Sequence, residues 1–361
     1  MASRSSANPL ARALEFASSL RARVPIFLAP MAGACPPSLS AAVATAGGMG
    51  ACGAVLLSPP GIKDWADEFR RRSDEPFQMN LWIPDPLPAR NTELEARQRA
   101  FLASWGPAPP ADAGQGVLPD FEAQCGAILQ ARPTVISSIM GLYPPSFVAE
   151  MKAQGIRWFA TATTVTEARA AEVAGADAIV AQGMEAGGHR GAFQSANAET
   201  EIVGLFALLP QVCDAVSVPV IATGGISDGR AVAAALILGA SAVQIGTGFL
   251  RCPEAELHVT YAERIAATEA HETRLTRAFS GRAGRAIRTQ FVEAASAPDA
   301  TAPAPYPVQR GLTRTMREEA VAMNDPERMQ MWAGQAARLA RAEPASSLMQ
   351  SWWDDALAYL P

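Results

Sequence analysis

Short apolar runs recur along most of this chain, and four of them follow an Ala-rich stretch that ends in glycine. Residues 43–54, 151–162, 172–183 and 236–248 all repeat that grammar. Glycine at the end of a helix accepts the left-handed conformation that closes it. The runs that follow are apolar throughout and do not alternate, as expected of parallel strands buried on both faces. The pattern predicts eight such strands, at Pro25–Ala29, Met49–Gly53, Phe77–Leu81, Thr134–Ser138, Arg157–Thr161, Ala178–Ala181, Val218–Thr223 and Ala242–Ile245. Helices are expected between them at Ser38–Ala46, Pro145–Gln154, Glu167–Ala174 and Arg230–Leu238. Thr164 and Glu167 form a candidate capping box for the third, and Asp228 or Gly229 opens the fourth. The fold class is therefore α/β, a (β/α)8 TIM barrel, in preference to a doubly wound sheet.

Two segments break the rhythm. Residues 83–132 form an insertion with a Pro-rich entry and a helix near Thr92–Ser104. Insertions of that length commonly cover a site. Residues 251–361 form a smaller, mostly helical C-terminal subdomain that covers the active site and returns helices to the barrel. Helices are expected there at Val259–Thr268, Thr315–Met323 and Glu327–Ala342, with a Pro/Ala linker at Ala297–Pro307. Met316, Met323, Met329 and Met331 are read as core, and Trp352-Trp353 as an anchor for a terminal helix. Residues 8–250 make up the barrel. Its first element is a helix at Pro9–Leu20 that plugs the bottom of the ring. The Ser- and Arg-rich start resembles a transit peptide, but Arg and Ala abound throughout the chain.

Composition narrows the class. Thirty Lys and Arg against thirty-five Asp and Glu give a net charge of −5, the wrong sign for a nucleic-acid binder. No apolar run is long enough to span a bilayer. The five cysteines are dispersed with no CxxC pair, which reads as reduced thiols in the cytoplasm and offers no metal frame. A monomer or homodimer acting on small molecules is expected.

Chemistry in a barrel gathers where strands end. Polar and glycine residues cluster at one end of nearly every predicted strand. Gly224 and Gly225 follow the seventh, and Gly246 and Thr247 the eighth. Backbone N–H groups and helix N-termini there suit a phosphate. His189 follows the sixth strand in a glycine-rich loop with Gly187 and Gly188, and it is the candidate proton acceptor. Asn80, Gln182 and Gln244 are neutral amides that suit the alternating N–H and C=O groups of a flavin. Glu185 is read as ordering the loop.

Residues 181–191, Ala-Gln-Gly-Met-Glu-Ala-Gly-Gly-His-Arg-Gly, resemble the signature loop of the nitronate monooxygenases, once called 2-nitropropane dioxygenases. Further matches run from Ala29–Gly33 through Ser280–Arg282 and Tyr306–Gln309 to Trp332–Gln335. The resemblance implies a TIM barrel with an added smaller domain and non-covalent FMN. It also implies oxidation of alkyl nitronates, and of nitroalkanes, by O2 to a carbonyl compound and nitrite. Carried onto this chain, His189 matches the catalytic base. Met31, Asn80, Gln182, Gly187, Gly188, Gly224, Gly225, Gln244, Ile245, Gly246 and Thr247 match the FMN-binding positions, and no metal is implied. Gln78 stands where the family tends to carry Gly, Gly284 where Ala is usual, and Cys35 adds a thiol to the first loop. An FMN-dependent NAD(P)H oxidoreductase and a non-redox phosphate-binding barrel are the competing readings.

Overall fold

Each predicted apolar run forms a strand in the computed structural model, which describes residues 8–116 and 118–361. The first seven residues of the transit-like start lie outside the described residues. The barrel strands are β1 (Ile26–Leu28), β2 (Gly50–Gly53), β3 (Phe77–Trp82), β4 (Val135–Ile139), β5 (Arg157–Ala162), β6 (Ala178–Gln182), β8 (Val220–Thr223) and β9 (Ala242–Ile245). A two-residue strand, β7 (Gly188–His189), interrupts the series and belongs to another sheet. The barrel order is β1-β9-β8-β6-β5-β4-β3-β2, parallel throughout. A parallel bridge between Phe27 and Met49 brings the two ends together. This is a (β/α)8 barrel.

The first helix, Pro9–Ser19, explains how the ring is closed below. Asn8 caps it by accepting from the Ala11 N–H. Its Phe16, Ala17 and Leu20 pack against Phe27, Met49, Val135, Phe159, Ala178, Val180, Ile221 and Ala242. The Phe16 ring lies 6.3 Å from Phe27 and 6.0 Å from Phe159. Every side chain of this layer is buried. The floor is a dry apolar plug.

Helix caps follow the sequence closely. Asp228 caps Gly229–Ile237 by accepting from Ala231 N–H. Thr164 caps Val165–Val173. The expected capping box is only half formed, because Glu167 reaches past the cap to the Thr163 and Phe193 amides.

Outside the ring the sequence reading needs correction. Phe121–Ala131 is a helix of the barrel wall, and its Gln124 donates to the carbonyls of Ala54, Val55 and Leu57. Glu327–Ala342 is not a helix. Its backbone is drawn into pairing with the hairpin of β10 (Thr273–Thr276) and β11 (Gly284–Ile287), through an Ala286–Trp332 bridge. Only Ala337–Leu339 makes a short 3₁₀ turn. The Pro/Ala stretch is no free linker, since Gln98 donates to the Thr301 and Ala302 carbonyls and Gln309 accepts from Ala304 N–H. Met316, Met329 and Met331 are buried, but Met323 is exposed. The insertion helix Thr92–Ala103 shares a second apolar cluster with the C-terminal segment, through Leu102, Phe279, Phe291, Leu312 and Met316. In the terminal helix, Ala345–Leu357, Trp352 is buried edge-on against Phe249 at 4.9 Å.

Candidate active site

A cavity of about 550 Å³ opens over the C-terminal ends of the strands. Its lining takes in Met31, Asn80, Gln182, Gly187, Gly188, His189, Gly224, Gly225, Gln244, Gly246 and Thr247. Ile245 is the exception. Side chains alternate along β9, so Ile245 points outward into the helical layer, and its carbonyl accepts from Ala29 N–H.

His189 owes its place to the second sheet. β7 pairs antiparallel with β11, which sets His189 against Gly284 and Gly188 against Arg285. Gln182 holds the same loop from below. Its Oε1 accepts from Gly191 N–H at 2.8 Å and Arg190 Nη1 at 3.1 Å, and its Nε2 donates to the His189 carbonyl at 3.2 Å. Gly187 is needed for close packing, because a Cβ there would lie 2.5 Å from Gly334 N. Gly284 has a similar reason: a Cβ would come within 3.0 Å of the Trp332 ring. Glu185 orders the loop base by accepting from Leu205 N–H.

The half-buried imidazole sits between Trp82, edge-on at 4.6 Å, and Trp332 at 4.8 Å. Its Nε2 lies 2.8 Å from Ser280 Oγ. The Ser280 hydroxyl donates to the Arg282 carbonyl at 3.1 Å, so Oγ accepts from Nε2–H. That leaves Nδ1 as the basic nitrogen. Desolvation pushes the pKa of His189 down to about 3, and the charges of Arg282 and Arg310 add to the effect. The ring is neutral at pH 7.

The far wall is a turn of glycines. Gly224 and Gly225 take φ of +109° and +70°, which L side chains adopt only with strain. Ser227 in this turn is buried, and its Oγ has no partner. Asp228 follows this turn and caps the next helix by accepting from Ala231 N–H. Thr247 Oγ1 accepts from Gly334 N–H at 3.0 Å and ties the C-terminal segment across this wall. In the first loop, the Cys35 thiol donates to the Ala29 carbonyl and accepts from Met31 N–H, both at 3.2 Å. Burial pushes its pKa up to about 12, so Cys35 shapes the loop as an inert thiol.

Several lining residues escaped the sequence reading. Trp82, Tyr306, Arg310, Arg317 and Trp332 all face the cavity. Arg317 is held by Thr313, Gln330 and the Arg310 carbonyl. Burial and the neighbouring Arg310 lower its pKa to about 10, and it stays charged at pH 7. Neither arginine belongs to a direct ion pair among the described residues; Glu318 acts on Arg317 through space, and Glu256 lines the same cavity. His258 also lines the cavity, with a buried Nδ1 that has no partner. The family motifs at 280–282, 306–309 and 332–335 were the available signal for Ser280, Tyr306 and Trp332, but nothing local ties them to a loop near residue 189. Among the described residues there is no metal-binding cluster and no helix long and apolar enough to cross a membrane.

A closed ring of parallel strands, with its glycines, amides and one imidazole gathered at the strand C-termini, defines a (β/α)8-barrel enzyme. The family model for nitronate monooxygenase matches residues 15–355. The chain belongs to the nitronate monooxygenase family, a family of oxidoreductases. It is 39% identical over 332 residues to a nitronate monooxygenase of Paraburkholderia phytofirmans, covering 90% of each chain. A solved structure of nitroalkane oxidase from Streptomyces ansochromogenes superposes with a TM-score of 0.87 at 34% identity, covering 96% of this chain and 98% of that one. FabK from Thermotoga maritima superposes with a TM-score of 0.73 at 28% identity, covering 95% and 96%.

Proposed function

We propose that this chain is an FMN-dependent nitronate monooxygenase that oxidises alkyl nitronates, and nitroalkanes once deprotonated, to carbonyl compounds and nitrite. The observation that carries this reading is His189, a neutral imidazole between two tryptophans at the edge of a cavity that Arg310 and Arg317 also line.

The residues present fit FMN. A phosphate would be held at the Gly224–Ser227 turn, where Ser227 Oγ is buried without a partner and a Cβ on Gly224 would come within 3.1 Å of Ala186 N. Gly246 keeps the next strand end clear, since a Cβ there would meet Met31 Sδ at 3.2 Å. Asn80, Gln182 and Gln244 line the cavity with amides suited to the flavin heterocycle. Bound there, FMN supplies the electron transfer between nitronate and O2. Two nitronate anions and one O2 balance as two carbonyl compounds and two nitrites.

The protein's own groups do the rest. His189 Nδ1 takes the acidic carbon proton of a neutral nitroalkane, and the resulting imidazolium pairs with the nitronate it has formed. The anion draws the imidazole pKa back up, which favours that transfer. Arg310 and Arg317 attract the anionic substrate. Trp82, Trp332 and Tyr306 wall the site against water.

The test is oxygen uptake and nitrite release by the FMN-loaded chain, given nitronates, nitroalkanes or reduced nicotinamides. Uptake and nitrite with nitronates are expected. Turnover with nicotinamides alone would make the protein an NAD(P)H oxidoreductase. A colourless chain that takes up no FMN would leave the phosphate-binding barrel.

A further inference from the structure

Beneath the cavity, two amides from separate parts of the ring meet. Gln78 on β3 and Gln244 on β9 both point inward, although β1 and β2 stand between their strands. Gln78 Nε2 donates to the Leu28 carbonyl on β1 at 3.0 Å and to Gln244 Oε1 at 3.0 Å. A backbone carbonyl only accepts, so turning the Gln78 amide over would set two carbonyl oxygens against each other. The nitrogen of Gln78 is thereby fixed, and it fixes the oxygen of Gln244 in turn. The Gln244 –NH2 is left toward the cavity that this residue lines. Gln78 itself is fully buried, and its Oε1 has no partner. Leaving a buried carbonyl unsatisfied is destabilising, so packing alone does not account for an amide here.

We infer that Gln78 is a positioning residue that holds the Gln244 amide with its donor toward the place of the flavin ring. This rests on the FMN reading above. A donor stabilises the negative charge that a flavin gains on reduction, and a carbonyl in its place opposes it. Gln78 thus raises the reduction potential of bound FMN without touching it.

A double-mutant cycle on the FMN-loaded chain tests this, read by midpoint potential and visible spectrum. Q78M keeps the length of the side chain and removes the donor, while Q244M removes the amide through which it acts. Q78N, too short to reach Gln244, serves if Q78M does not fold. Q78M is expected to lower the potential and shift the visible band, and to change neither when added to Q244M. An equal shift in both backgrounds, or an unaltered potential in Q78M, overturns the inference. A wild-type chain that takes up no FMN overturns the cofactor reading instead. The clamp is then decided on the ligand-free chain, by the ¹⁵N side-chain amide signal of Gln244, identified through its loss in Q244M. That signal moves in Q78M if Gln78 holds the amide and stays in place if it does not.

Discussion

At the N-terminal end of the barrel, Phe16, Leu20, Phe27, Met49, Val135 and Phe159 close the ring with apolar side chains that are all buried. At the C-terminal end the same strands finish in glycines, amides and an imidazole. Ser227 Oγ has no partner there, and Arg310 and Arg317 line the cavity without a direct ion pair among the described residues. The floor satisfies its own packing, whereas the mouth leaves polar groups to be satisfied by something it binds. Stability should therefore be concentrated below and activity above, and substitutions at the two ends should separate them.

The largest effect is expected at the mouth. His189→Asn should lower turnover of neutral nitroalkanes by about 10²–10⁴-fold while flavin content is kept, as read by oxygen uptake and the visible spectrum. Unchanged turnover would remove the imidazole from proton transfer. Next comes the floor. Phe16→Ala should cost about 3–5 kcal/mol of stability, seen in the urea midpoint, with kcat nearly unaltered. A large loss of kcat at full folding would break the division between the ends.

Gly224→Asp should weaken FMN binding by about tenfold or more. It forces a side chain into a left-handed backbone, at a cost of about 1–3 kcal/mol, and sets a carboxylate beside the phosphate turn. Equilibrium dialysis with FMN checks this, and full retention would place the phosphate elsewhere. Arg310→Gln should raise KM for nitronate anions several-fold, by analogy with other partly exposed charges near a ligand, with less change for neutral nitroalkanes.

The smallest effect concerns pH. The folded pKa of His189, about 3, lies below its ordinary 6.5. Between those values the unfolded chain binds the proton and the folded chain does not, so stability is full above 6.5 and falls as pH drops toward 3. His189→Asn should flatten this part of the acid limb. Urea midpoints of the two chains at pH 7 and pH 4.5 measure the difference.

The barrel is legible in the sequence because doubly buried parallel strands are apolar throughout, and glycine marks the helix end before β2, β5, β6 and β9. Boundaries such as Phe77–Trp82 differ from expectation by a residue. The second sheet is not legible for the opposite reason. β7 has two residues, Gly188 and His189, and no periodicity, while β11 carries a buried arginine, Arg285, in place of an apolar run. Ala- and Met-rich sequence at 327–342 reads as helix, and it is drawn out by the bridge from Trp332 to Ala286 and by long-range bonds such as Gln335 N–H to the Glu185 carbonyl. In the site, residues at strand ends could be placed because a barrel orders them. Ser280, Arg310 and Trp332 could not, because their approach to His189 depends on a fold-back of the C-terminal segment that no local pattern encodes.

The proposed activity requires a flavin at the mouth that accepts electrons from a nitronate. Anaerobic mixing of the FMN-loaded chain with an alkyl nitronate, followed at the flavin's visible band, tests it most directly. Loss of the band with nitronate, faster than with NADH or NADPH, is the predicted result. Loss of the band with reduced nicotinamide and none with nitronate would contradict it.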